Sequence, residues 1–144
     1  MLACTACLLF SCKCSSKSGE TAAKQELNAE TVWGLQSIKS KKITFGEDSR
    51  IVYIQFNPEA KSVNGHAGCN RFFGSYEEPK AGQLSFSGMG ATKMACPDNE
   101  MELEDMFLSN LNKVNAYKID GNKLELLHND NVLMTFEKTT LPEE

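Results

Sequence analysis

Two cysteines, Cys69 and Cys96, stand alone in the chain after its first fourteen residues. Each lies in a segment crowded with residues that can do chemistry or fix a backbone. The first reads Asn64-Gly-His-Ala-Gly-Cys69-Asn-Arg-Phe-Phe-Gly-Ser-Tyr76, the second Thr92-Lys-Met-Ala-Cys96-Pro97. A thiolate beside an imidazole can act as a nucleophile, and His66 is three residues from Cys69. No acid is placed to orient the ring, however, and His66 reads as a loop histidine. Cys96 sits just ahead of a predicted helix, where a thiol pKa falls. In an oxidising compartment two such cysteines pair, and closing their loop stabilises a domain by roughly 3–4 kcal/mol. A structural disulfide is therefore the leading reading, with two buried free thiols or one reactive thiol as alternatives. His66, Cys69, Cys96 and His128 lack the short paired spacings of a structural zinc site. No metal, cofactor or catalytic set is expected.

Arg71 and Lys93 are charges embedded among apolar residues of the same two segments. Their stems can cover apolar surface while the charges reach water. The sharper reading is a shared basic spot that, with Asn70 and His66, binds an acidic group. Asn70 is also suited to satisfying backbone groups at the turn. Gly88-Met-Gly-Ala-Thr-Lys93 imitates a phosphate loop but lacks the Gly-Lys-Ser/Thr ending, so phosphate binding is not inferred from it.

The elements that must position these residues follow from hydrophobic patterning. Strands are predicted at Thr31–Gln36, Lys42–Phe45, Ile51–Phe56, Arg71–Glu77 and Gln83–Ser87, and again at Tyr117–Ile119, Leu124–Leu127 and Val132–Phe136. Trp33 is expected to plug the core, and Gly74 to mark a bulge or a neighbour packed over it. Asn64-Gly65 reads as a turn, Gly88 and Gly90 as a bend around Met89, and Asp120-Gly-Asn122 as a hairpin turn. One helix is predicted from about 99 to 114, capped by Asp98 or Asn99, with Leu103, Met106, Phe107, Leu111 and Val114 as its buried stripe. The acids at its start read as a solvated face. Without βαβ alternation, these elements predict an α+β domain: a compact antiparallel sheet, partly barrel-like, packed with one main helix.

The chain has 144 residues, enough for a single domain, and a formal net charge of -4. Its basic residues are dispersed, which excludes a nucleic-acid tract and argues against a nucleic-acid partner. Four cysteines cluster at 4, 7, 12 and 14 in an apolar opening. That stretch is too short to span a bilayer and reads as an export segment. Leu9-Phe-Ser-Cys12 is similar to a relaxed lipobox, which makes Cys12 the expected lipidation site and residues 1–12 a signal segment, its start truncated. Residues 13–30 read as a polar tether, 31–137 as the domain and 138–144 as a frayed tail.

The motif Asn64-Gly-x-x-Gly-Cys-Asn-x-Phe-x-Gly-x-Tyr76, followed by Thr92-x-Met-Ala-Cys-Pro97 and by Phe107-Leu108 of the helix, resembles the META domain family in its HslJ-like form. That form comprises bacterial heat-shock and envelope lipoproteins. The resemblance covers about residues 31–137. It maps the family motif onto Asn64, Gly65, Gly68, Cys69, Asn70, Phe72, Gly74, Tyr76, Thr92, Met94, Cys96 and Pro97. It implies an antiparallel β structure with one packed helix, often in an exported protein linked to stress response, secretion or motility, and it carries over no catalytic residue. The resulting expectation is a non-enzymatic lipoprotein of the bacterial envelope. It would be lipid-anchored at the outer membrane or facing the periplasm, with an envelope protein or peptide as partner. The alternative is a thiol-dependent redox or small-molecule-binding protein centred on Cys69 and Cys96.

Overall fold

A computed structural model describes residues 27–46 and 50–141. The expected signal segment and Cys12 lie outside the described residues. Alternation of apolar and polar residues builds the sheet. Along the segment ending in β3 (Tyr53–Asn57), Val52, Ile54 and Phe56 are buried while Tyr53 and Gln55 are only partly covered. The other strands are β1 (Val32–Ile38), the short β2 (Lys41–Lys42), β4 (Ser62–His66), β5 (Arg71–Glu77), β6 (Ser85–Ala91), β7 (Ala116–Asp120), β8 (Lys123–His128) and β9 (Asn131–Thr139). All pairings between them are antiparallel, in the order β6-β5-β4-β3-β1-β9-β8-β7, with β2 on the flank of β1.

The expectation of a partly barrel-like sheet is corrected. The strands form an open path whose edges, β6 and β7, share no ladder. They are tied at one point just ahead of β6, where Gln83 bridges Ala116 and the Tyr117 N–H donates to the Gly82 carbonyl at 2.9 Å. Closure of a barrel needs a staggered ladder along the full edge, and one bridge does not supply it.

The helix α1 (Asp98–Leu111) carries the chain from one edge strand to the other. Its apolar stripe seats Phe107 between Phe72 of β5 and Phe136 of β9, with ring centroids 5.2 and 6.2 Å away. The helix ends three residues earlier than its hydrophobic stripe suggests, because Val114 is buried in the turn beyond it. Its N-cap is Pro97, with no side-chain cap, instead of Asp98 or Asn99. Trp33 is fully buried, as expected of a core plug. Leu27, inside the segment read as a tether, is buried in the same core, so packed structure starts ahead of residue 31.

Glycines account for the other differences. Asn64-Gly65 is not a turn but the middle of β4, paired with β3 and β5. Gly65 is required there because a Cβ would run into the Tyr53 carbonyl oxygen and the Phe72 ring. Gly74 sits at a register shift in β5, and the Met89 sulfur occupies the space its Cβ would need. Met89 therefore belongs to β6, whose local bend is confined to Gly88 at φ 59°.

Candidate functional site

The two cysteine segments meet at the end of the sheet where β4 turns into β5. The turn closes through the Ala67 N–H, which donates to the Asn70 carbonyl at 2.9 Å. Gly68 takes φ 136° and passes so close to α1 that a Cβ would lie 2.9 Å from the Glu100 carbonyl oxygen. Next to it, Cys69 is bonded to Cys96, with Cα atoms 5.8 Å apart. The thiols are thus consumed in a disulfide, and neither is available as nucleophile or metal ligand. His128 is elsewhere, its Nδ1 2.7 Å from the Lys113 carbonyl oxygen. Among the described residues no group of three or more His, Cys, Asp or Glu is arranged to hold a metal ion.

Asn70 is the centre of this knot. Its buried side chain uses both ends of the amide: Oδ1 accepts the Met94 N–H at 2.7 Å and the Thr92 hydroxyl at 3.0 Å, while Nδ2 donates to Glu104 Oε1 at 3.0 Å. The Asn70 backbone N–H donates to the other Glu104 oxygen at 2.6 Å. One residue therefore joins the turn, the 92–97 segment and the helix. The sequence suggested that Asn70 satisfies backbone groups at its own turn and that the acids of α1 form a solvated face, whereas the Asn70 side chain reaches across to the Met94 N–H, the Thr92 hydroxyl and Glu104. Glu104 departs from that reading, because its carboxylate is engaged by Asn70. Only an Asn-to-acid pairing across 34 residues could have revealed this, and a single sequence does not show it.

Asn70→Asp is expected to destabilise the fold by about 2–3 kcal/mol at neutral pH. It replaces a donor to Glu104 by a second carboxylate. The deficit should shrink as pH falls toward carboxylate protonation, as read from urea unfolding at several pH values.

Arg71 opens β5, and Lys93 follows two residues after the end of β6. The Thr92 N–H donates to the Arg71 carbonyl at 3.0 Å, which sets Lys93 beside the start of β5. Both side chains are exposed, and neither forms an ion pair among the described residues. His66 is not a loop residue but the last of β4, directly across from Arg71, and only 5% exposed. Its Nδ1 accepts the Gly68 N–H at 3.4 Å, and its Nε2 is buried without a hydrogen-bond partner among the described residues.

Burial holds the His66 pKa below its ordinary value. The charge of Arg50 adds to this, outweighing the opposing pull of Glu104. Arg71 lowers it further and Glu100 opposes weakly. Arg50, just ahead of β3, was not singled out in the sequence because it sits alone in a loop. The folded state thus resists protonating His66 more than the unfolded chain does. Stability is expected to be level above the ordinary histidine value and to decline as pH falls below 6.5 toward the lowered folded pKa. His66→Asn should remove that part of the slope, measured as urea midpoints between neutral and mildly acidic pH.

The remaining motif residues are structural. Phe72 and Tyr76 are core side chains, with Tyr76 edge-on to Phe56 at 5.2 Å, and Pro97 starts the helix. Met94 is half exposed. Its backbone N–H, not its side chain, makes the contact with Asn70.

This knot is the segment on which the family signature rests, and the META domain model matches residues 25–140. The chain belongs to the META domain family. Solved structures share the fold. A protein from Burkholderia xenovorans determined by NMR matches with a TM-score of 0.63 at 23% identity, covering 83% of this chain and 88% of its own. A second NMR structure gives 0.58 at 23% identity, over 76% and 89%. A duf4847 family protein from Bacteroides vulgatus ATCC 8482 gives 0.54 at 14% identity, over 76% and 92%. No curated protein sequence matches the chain.

Proposed function

We propose that this META domain is a non-catalytic binding module of the bacterial envelope, exported and anchored through lipid on Cys12. In this reading it holds a protein or peptide partner at the Arg71 and Lys93 end of its sheet in support of envelope integrity under stress. The observation that carries the reading is the pair of exposed, unpaired cations on a backbone locked by the disulfide and by Asn70. Rigid presentation of charge lowers the ordering cost of binding. The chain as a whole is acidic, so a basic end is a local feature and not a consequence of composition. Thiol chemistry at Cys69 and Cys96 has no comparable support, since each sulfur is bonded to the other.

Capture from envelope extracts tests the binding surface. The wild-type chain should retain a partner that the Arg71→Ser/Lys93→Ser double variant loses, and identical capture by both would remove the assignment. Anchoring is tested separately: labelled palmitate should enter the wild-type chain in bacteria and fail to enter Cys12→Ala.

A further inference from the structure

The stretch from Thr31 to Gly46 holds three lysines, Lys39, Lys41 and Lys42, and no acid, in a chain whose formal net charge is -4. The fold gathers them at one hairpin. Ile38 pairs with Lys41 and Ser37 with Lys42, so β1 and β2 are joined by the two-residue turn Lys39-Ser40. These two residues take φ 47° and 66°, the left-handed pair that such a turn requires and that Asn-Gly adopts most readily. A lysine there carries backbone strain, which the surrounding structure must hold. The Lys39 N–H donates to the Leu133 carbonyl and the Ile43 N–H to the Gln36 carbonyl, both at 2.8 Å, and Ile38 is buried in the core.

Lys39, Ser40, Lys41 and Lys42 are all exposed, and none of the three lysines forms an ion pair among the described residues. Glu47 and Asp48, further along the chain, lie outside those residues. No other four-residue stretch of the sequence holds three basic residues. An apolar side chain stands at the same place. β9 runs beside β1 there, with Met134 across from Ile38, and Val132, just ahead of Leu133, is 37% exposed. Asp130, in the neighbouring turn between β8 and β9, leaves the group with an excess of positive charge.

We propose that the β1–β2 hairpin docks on an anionic phospholipid surface, with its three ammonium groups among the headgroup phosphates and Val132 at the edge of the apolar layer. A lysine ammonium is a compact point charge on a flexible stem, suited to phosphates that present no fixed geometry. β2 and its turn hold no tryptophan, tyrosine or arginine, the residues that anchor protein interfaces. Each lysine close to an anionic surface strengthens binding about fivefold, so three give a reversible contact. The contact does not depend on lipid at Cys12. Combined with the anchor of the proposed function, it supplies the second signal that stable attachment to a membrane takes. The fourteen residues between Cys12 and Leu27 span at most about 50 Å when extended, more than the width of a domain of this size. The hairpin can therefore reach the surface that holds the anchor, and its docking sets which side of the domain faces the lipid.

The test is co-sedimentation of the full chain with phosphatidylcholine vesicles, with and without about 30% phosphatidylglycerol. The chain should bind the anionic vesicles at least about tenfold more tightly at low salt and lose that preference at high salt. Lys41→Gln/Lys42→Gln should weaken binding to the anionic vesicles at least about tenfold. Lys80→Gln/Lys118→Gln, with the same loss of charge, should change it less than about twofold. Lys39 is kept in both variants because of its backbone conformation. In the 15N spectrum, spin-labelled lipid in the anionic vesicles should broaden the amides of Lys39, Lys41, Lys42 and Val132 ahead of those of Arg71 and Lys93, and the remaining peaks report an intact fold. Equal weakening by the two variants would reduce the effect to net charge and overturn the site. Broadening centred elsewhere would overturn it too. So would shifts at the hairpin with poly-glutamate and none with vesicles, which would identify an acidic protein as the partner. Partner capture through Arg71 and Lys93 uses other residues, so that reading stands or falls separately.

Discussion

Phe107→Ala is expected to destabilise the domain by about 3–5 kcal/mol, the range for removing a fully buried aromatic ring. Phe107 has no exposed surface. Its ring lies between Phe72 and Phe136, so its loss opens a space bordered by strands on both halves of the open sheet. Those strands, β5 and β9, are separated by three others in the sheet order and cannot collapse toward each other without breaking ladders. The cavity should therefore persist, which places the cost high in the range. Urea unfolding at neutral pH should show a lower midpoint with an unchanged slope. Met106→Ala, one residue away, should change stability by less than about 1 kcal/mol, because Met106 is 37% exposed and is not part of the buried stripe, where the sequence placed it. Equal effects of the two substitutions would show that the helix is not the core element described above.

Patterning made the helix legible, because Phe107 and Leu111 repeat at helical spacing and both are buried. Strands were legible where alternation is clean, as in Val52, Ile54 and Phe56. Legibility fails where a residue serves tertiary packing instead of local propensity. Gly65 follows an asparagine and so reads as a turn, yet the neighbouring Tyr53 backbone and the Phe72 ring demand its lack of side chain. Whether the sheet closes depends on how β6 and β7 are aligned in space, which strand-length patterns do not encode. The candidate site divides the same way. Its residue types announce themselves locally: paired cysteines, a motif asparagine, embedded cations. The partners of Asn70 arise from contacts between segments far apart in the chain.

Two different ties hold the knot together. Asn70 acts on the folded state, through hydrogen bonds that unfolding exchanges for water, while a disulfide acts largely by restricting the unfolded chain. Both tie the turn to the 92–97 segment, but Asn70 alone also reaches α1 through Glu104. Loss of the disulfide therefore leaves a specific native tether in place, and loss of Asn70 leaves only the covalent one.

Cys69→Ala/Cys96→Ala should accordingly fold to the same structure yet lose roughly 3–4 kcal/mol, the chain-entropy value for a loop of this size. The sequence separation is 27 residues, and the loop encloses β5 and β6, so the unlinked chain gains freedom over an entire sheet edge when it unfolds. Reduction of the wild-type protein with a dithiol should give the same loss in urea, because the thiol form differs from the alanine variant only by two sulfur atoms. Adding Asn70→Asp to the cysteine-free chain removes the second tether. The combined loss should exceed the sum of the separate ones, since residues sharing one network couple. The extra disorder should appear in the 15N spectrum as broadened amides confined to 92–104. A reduced protein as stable as the oxidised one would mean that the denatured chain already holds the two segments together. The knot would then owe its stability to Asn70 alone.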